Sequence, residues 1–216
     1  MLDQTDLFGA LPPELLEQLR DRAALVKYRR GDCVFTKGDE AARLFVVVSG
    51  RIAITAAASD DRESVISVLG PGALFGEMPL FDGGTRSATA RALTSVQAVA
   101  LSFDDVRAVL TEQPELLWTV VAILAGRLRA TDEALADAVF LDVTGRTAKR
   151  LLELAGGEDE FRMPLTQEEL AGMVGASRER VNKAIATFVR LGWLEVSGRG
   201  QYRILDRDEL TDRARS

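Results

Sequence analysis

Residues 165–194 read LTQEELAGMVGASRERVNKAIATFVRLGWL, and few folds can absorb that pattern. It contains two helix starts. Thr166 followed by Glu169 makes a capping box, and Ser177 can cap a second helix after the turn Val174-Gly175-Ala176. In that second helix Val181, Ile185 and Phe188 fall at i, i+4 and i+7, which turns Glu179, Lys183 and Arg190 outward and leaves Arg178 in the exposed first turn. Two helices joined by a glycine turn, the second with a charged outer face, read as a helix-turn-helix. Such a helix enters a DNA major groove by its N-terminal end. There Arg178 can pair with guanine, Glu179 can accept from cytosine N4, and Lys183 can donate to guanine or thymine. The following WLEVSGRGQYRIL reads as a hairpin with the turn SGRG, a wing whose Arg199 and Gln201 can meet phosphate. Charges on a small helix are often merely solvated, but here caps, turn glycine and base-reading side chains occur together.

A net charge of −6 seems to oppose nucleic acid. Its distribution decides otherwise. Residues 1–143 carry 14 Lys/Arg against 21 Asp/Glu, whereas residues 144–216 carry 13 against 12, and 177–203 holds six basic residues against Glu179 and Glu195. An acidic body with a local basic patch is compatible with DNA binding. Cys33 is the only cysteine and there is no histidine. That excludes an intrachain disulfide, a cysteine-held cluster, histidine-ligated metal or haem, and most acid–base triads. An enzyme is therefore not expected. No apolar run approaches membrane-span length, and MLDQTDLFGALPPELL lacks a basic region followed by an apolar one, so a cytoplasmic protein is expected.

Upstream, Pro12 and Pro13 open a short helix at ELLEQLRDRAALV, ahead of a strand-rich region. LFVVVSGRIAITAAA, SVISVLG and SVQAVALS are β-branched runs punctuated by glycines, which suggests a barrel or sandwich. A long helix is expected from about Pro114 to about Phe140. Its Leu117, Val121, Leu124, Leu128, Thr131, Leu135 and Ala138 are spaced as the seam of a two-stranded coiled coil, although a helix packed on its own domain can share that spacing. Thr131 sits inside the seam with Asp132 after it, where packing would prefer leucine.

Between two strand-like runs lies GEMPLFDGGTRSA at 76–88, longer than an ordinary hairpin turn requires. Glu77, Arg86 and Ser87 place a carboxylate, a guanidinium and a hydroxyl in one loop. Together they suit something carrying hydroxyls and negative charge. A structural Glu77–Arg86 salt bridge is the competing reading.

With GE…RSA at 76–88, FLDVTGR at 140–146 and LTQEELAGMVGASRERVNKA at 165–184, the chain resembles, over nearly its whole length, the cyclic-AMP receptor protein/fumarate–nitrate regulator family of bacterial transcription factors. The last motif looks most like actinobacterial cyclic-AMP receptor proteins. The resemblance implies an α+β protein in three parts: a cyclic-nucleotide-binding β-roll of double-stranded β-helix (jelly roll) type at 1–113, a dimerisation helix and hinge at 114–141, and a winged helix-turn-helix at 142–216. It implies cyclic AMP as an allosteric ligand rather than a catalytic cofactor. Double-stranded operator DNA, a second copy of the chain and RNA polymerase are the implied partners. In such a β-roll Gly76, Glu77 and Met78 begin the ligand loop, Glu77 takes the ribose 2′-hydroxyl, and Arg86 and Ser87 hold the cyclic phosphate. Ile54 and Ile66 line the base pocket, and Thr131 contacts adenine. Asp132 stands where a partner-chain serine or asparagine usually reaches the base. Its carboxylate accepts from the adenine 6-amino group but repels the guanine 6-carbonyl, which favours cyclic AMP over cyclic GMP. Pro79 also departs from the pattern, because many such domains offer a backbone N–H to the phosphate there and proline has none. Arg178, Glu179 and Lys183 match the family residues that read a TGTGA-like palindrome, and Ser177 and Arg199 are further implied DNA contacts. Arg180, where a small residue is common, is expected on phosphate. The family's oxygen and carbon-monoxide sensors need cysteines or a histidine that this chain lacks. The alternative is a regulator of the same fold that binds DNA without cyclic nucleotide or senses another small anion.

Overall fold

A computed structural model describes residues 5, 8, 9, 11–57 and 63–216. By its contacts the chain divides into two units, 1–56 with 66–129, and 57–65 with 130–216.

The first unit opens with α1 (Pro13–Arg22), whose Pro13 takes the first helical position, where its missing N–H costs nothing. Strands β1 (Ala24–Tyr28), β2 (Cys33–Phe35), β3 (Arg43–Ser49), β4 (Ile52–Ala57), β5 (Glu63–Leu69) and β6 (Leu74–Phe75) follow. Then come the short helix α2 (Met78–Asp82), β7 (Thr89–Ala92), β8 (Val96–Ser102) and α3 (Phe103–Glu112), the last capped by Ser102. The strands form two four-stranded sheets, ordered β1-β8-β3-β6 and β2-β7-β4-β5. Antiparallel registers such as Val46↔Val99 and Ala53↔Arg91 hold them.

Period-2 alternation explains the apolar runs. From β3, Phe45 and Val47 enter a core with Ile52, Phe75, Ala90 and Ala98 that draws on both sheets. Leu44 and Val46 point the other way, into a second core with Leu19, Leu101, Val106 and Leu116. A strand covered on both faces needs no polar alternation, hence the uninterrupted RLFVVVS. The expected barrel or sandwich is therefore present as two facing sheets.

The long helix α4 runs over Leu116–Phe140, so it starts two residues after the expected Pro114. Leu116 and Val120 are buried, while Leu117, Val121, Leu124, Leu128 and Leu135, the expected seam, are exposed.

The second unit continues with α5 (Val143–Ala155), β9 (Glu160–Arg162), α6 (Gln167–Val174), α7 (Arg178–Leu191), β10 (Leu194–Ser197), β11 (Gln201–Ile204) and α8 (Arg207–Arg213). The Thr166–Glu169 capping box forms in both directions, and Gly175 ends α6 in the left-handed region at φ 69°. The strands pair antiparallel in the order β10-β11-β9, with the single turn Gly198–Gly200 at the hairpin tip. This is the anticipated helix-turn-helix with its wing. Among the described residues no helix is long and apolar enough to cross a membrane.

Candidate functional site

In the first unit the loop after β6 draws several expected residues together. Gly76 has φ +74°, and a Cβ there would stand 2.6 Å from Arg86 Nη1. Only glycine fits. The close approach lets Arg86 Nη1 donate to the Gly76 carbonyl at 2.5 Å, while Nη2 donates to the Arg43 carbonyl at 2.7 Å. Arg86 is 5% exposed, and its guanidinium lies 4.1 Å over the Phe35 ring. Its backbone is fixed as well: Gly38 N–H donates to its carbonyl at 2.8 Å and its own N–H donates to Asp39 at 2.9 Å. Burial pushes the Arg86 guanidinium below its ordinary value, opposed by the charges of Asp39 and Glu77. Ser87 Oγ lies 3.3 Å from Met78 Sδ, so the hydroxyl rests on the first residue of α2.

Glu77 is 2% exposed, and its Oε1 receives Arg127 Nη1. Arg127 Nη2 also donates to the Leu74 carbonyl, so this one side chain of α4 ties together β6 and the loop that follows it. The competing Glu77–Arg86 bridge is thus replaced by a Glu77–Arg127 pair. Arg127 was missed at the sequence level. A signal existed: it is the first charged residue of α4, after eleven uncharged ones at 116–126. Pairing has not exhausted the site. Glu77 Oε2 and Arg86 Nε are both buried with no hydrogen-bond partner. One acceptor and one donor are thus open in one loop, each carrying an unmet cost of about 1–3 kcal/mol.

The remaining expected ligand residues lie elsewhere. Ile54 on β4 is half-buried, and Ile66 on the neighbouring β5 is 56% exposed. Thr131 and Asp132 lie in the second unit on exposed turns of α4. Pro79 is buried in the first turn of α2, where a missing N–H breaks no helical bond.

In the second unit Ser177 caps α7, accepting from Arg180 N–H at 3.4 Å. Val181, Ala184, Ile185 and Phe188 are buried, and Arg178, Glu179, Arg180 and Lys183 are exposed. The structure therefore presents the four charged residues at the N-terminal end of the helix. Arg203, counted above in the basic patch, is bound by Glu160 at 2.7 Å and Glu195 at 3.4 Å, which neutralises it. Arg199 occupies the wing turn, and its side chain lies outside the described ones.

Two family models match the chain: a cyclic nucleotide-binding domain over residues 25–113 and a Crp-like helix-turn-helix domain over 145–213. The sequence is 39% identical over 222 residues to the CRP-like cAMP-activated global transcriptional regulator of Mycobacterium tuberculosis, covering 100% of this chain and 99% of that protein. To the cAMP-activated global transcriptional regulator Vfr of Pseudomonas aeruginosa it is 32% identical over 183 residues, covering 80% of this chain and 86% of that one. Among solved structures, FixK2 from Bradyrhizobium japonicum shares the fold with a TM-score of 0.81 at 21% identity, covering 88% of this chain and 96% of that one.

Proposed function

We propose that this chain, which belongs to the CRP/FNR family of transcription regulators, works as a homodimer that binds cyclic AMP in its β-roll and then reads a TGTGA-like palindrome. It is a regulator with a cyclic nucleotide-binding domain and a DNA-binding helix-turn-helix, and not an enzyme.

The observation that carries the ligand reading is the pair of open buried atoms, Glu77 Oε2 and Arg86 Nε, beside Ser87. A cyclic nucleotide supplies what they lack. Its ribose 2′-hydroxyl donates to Glu77, and its anionic phosphate accepts from Arg86, the Ser87 hydroxyl and the backbone around Gly76 and Met78. Ile54 and Ile66 would flank the base, Thr131 would contact it, and Asp132 would select adenine through its 6-amino group. We assign 1–113 to the ligand domain, 114–141 to the dimerisation helix and hinge, and 142–216 to DNA binding. The exposed Leu117, Val121, Leu124, Leu128 and Leu135 support a second copy of the chain as the partner of α4. Such a regulator acts on transcription with RNA polymerase as its further partner.

On DNA, two α7 helices related by a twofold axis need half-sites about one helical turn apart. Arg178, Glu179 and Lys183 read base edges there. Ser177, Arg180 and Arg199 meet the sugar–phosphate backbone, which sets register without sequence preference. The test is a gel-shift series with and without cyclic AMP on a TGTGA–spacer–TCACA operator and on random DNA. Glu179→Ala should lose ~1–3 kcal/mol of discrimination at its cytosine, whereas Arg180→Ala should weaken all sequences alike. Equal losses by both variants on both DNAs would remove the base-reading assignment. No tightening on adding cyclic AMP would favour the ligand-independent regulator.

A further inference from the structure

We propose that Lys149 and Arg213 are positioning residues for the reading helix: they clamp the junction between α4 and α5 and so set the direction in which the winged-helix module leaves the long helix. This rests on the reading of the chain as a ligand-controlled DNA-binding protein.

The covalent junction is slight. Helix α4 ends at Phe140 and α5 begins at Val143, leaving Leu141 and Asp142 between them. Two residues with free backbone torsions do not fix an angle between helices. Three side-chain contacts, all within the second unit, fix it instead. Lys149 Nζ, in the second turn of α5, holds both oxygens of Asp137 on α4 at 2.6 and 2.8 Å. In one continuous helix, residues twelve apart would lie about 18 Å from each other. The ion pair therefore exists only while the chain folds back at Leu141–Asp142. It is also shielded: the two side chains are 28% and 13% exposed, so salt screens it less than a surface pair.

The second contact is on the N-cap of α5. Asp142 Oδ1 accepts from Gly145 N–H at 2.8 Å and from Arg213 Nη2, in the last turn of α8, at 2.5 Å. Gly145 makes room for this. A Cβ there would meet the Ser216 oxygen and Arg213 at 3.0–3.1 Å. Third, Arg146 Nη1 donates to the Leu141 carbonyl at 2.6 Å and its Nε to the Val174 carbonyl at 2.9 Å. Val174 is the last residue of α6, so one guanidinium joins the junction to the helix that hands over to α7. The module is thereby held to the end of α4 at α5, α6 and α8. Loosening the clamp lets the reading helix take several directions, and ligand binding no longer dictates which one meets DNA.

The experiment uses the full chain with Lys149→Gln, Asp137→Asn, Arg213→Gln, the conservative Lys149→Arg, and the swap Asp137→Lys/Lys149→Asp. The swap places a cation in the last turn of α4 and an anion in the N-terminal half of α5, both favoured by the helix dipoles. Operator affinity is measured by anisotropy with and without cyclic AMP, and the ratio is the coupling factor. The three neutral variants should lower that factor about three- to tenfold, with the Arg variant and the swap recovering most of it. An unchanged coupling factor in every variant, with only the melting temperature moving, would overturn the proposal. Should the wild type itself show no response to cyclic AMP, the cyclic-AMP reading fails. Amide hydrogen exchange at residues 141–146 then decides the clamp: faster exchange in Lys149→Gln, reversed by the swap, supports it, and exchange equal to wild type refutes it.

Discussion

Arg127→Met isolates the pair that holds Glu77 in place. Methionine keeps the apolar stem and removes the charge and both donors. At an effective dielectric near 20, a contact pair of unit charges is worth roughly 4 kcal/mol. The Arg127 side chain is 41% exposed while Glu77 is 2% exposed, so water screens one partner and not the other. Halving the figure for that screening leaves ~2 kcal/mol, and the Leu74 carbonyl loses a donor worth about 1 kcal/mol more. Arg127→Met should therefore cost about 2–3 kcal/mol. At roughly 3–5 °C per kcal/mol for a unit of this size, its melting transition falls by about 10 °C. Glu77→Gln should cost less, because Arg127 can turn its guanidinium to solvent, whereas a stranded Glu77 cannot. The assay is a double-mutant cycle by urea unfolding. With the carboxylate gone, Arg127→Met should be cheaper, so the double variant should be about 2 kcal/mol less destabilised than the sum of the singles. Additivity within about 0.5 kcal/mol would show that the two side chains touch without stabilising each other, and the account of the loop would be wrong.

Two further outcomes follow from the same structure. Leu128 is 62% exposed on α4, so Leu128→Asp should leave the chain folded yet give the mass of one copy by light scattering where the wild type gives two; a wild-type mass of one copy would end the dimer reading. At Asp142, burial pushes the carboxyl up, but the Gly145 amide and Arg213 outweigh it and hold the group below the ordinary carboxylate range. A depressed carboxylate adds stability that is present above its unfolded value, near 3.9, and is lost as pH falls through the folded one. Asp142→Asn should accordingly flatten the decline of stability below about pH 4, and wild-type and variant curves that stay parallel would show that Asp142 is not the group concerned.

What was legible in the sequence was local. Caps, glycine turns and periodicity lie within a few residues of one another, which is why α6, α7 and the wing could be placed from TQEEL, GASRE and SGRG. The loop at 76–87 was legible as chemistry because Glu77, Arg86 and Ser87 are sequence neighbours. Their partners were not. Arg127 reaches Glu77 across fifty positions, and Arg43 meets Arg86 across forty-three, separations set by how α4 and the strands fold together rather than by any pattern along the chain. The same holds for Arg203. Its charge reads as available to DNA until β11 pairs with β9 and β10 and brings Glu160 and Glu195 beside it.

The long helix links these observations into one physical scheme. Along α4, Arg127 holds Glu77 and the Leu74 carbonyl, Leu124 and Leu128 offer an apolar face, and Asp137 receives Lys149 from α5. On the proposed ligand reading, a hydroxyl donating to the open Glu77 Oε2 draws charge from the carboxylate that Arg127 also uses, and a phosphate accepts from the open Arg86 Nε while Nη1 and Nη2 keep the Gly76 and Arg43 carbonyls. On that reading, occupancy acts on the Glu77–Arg127 pair, which fastens α4 to the loop after β6. The differential affinity that ligand coupling requires is, on the same reading, carried by the Glu77, Arg86 and Arg127 contacts, which are the side chains to vary when the coupling factor is dissected.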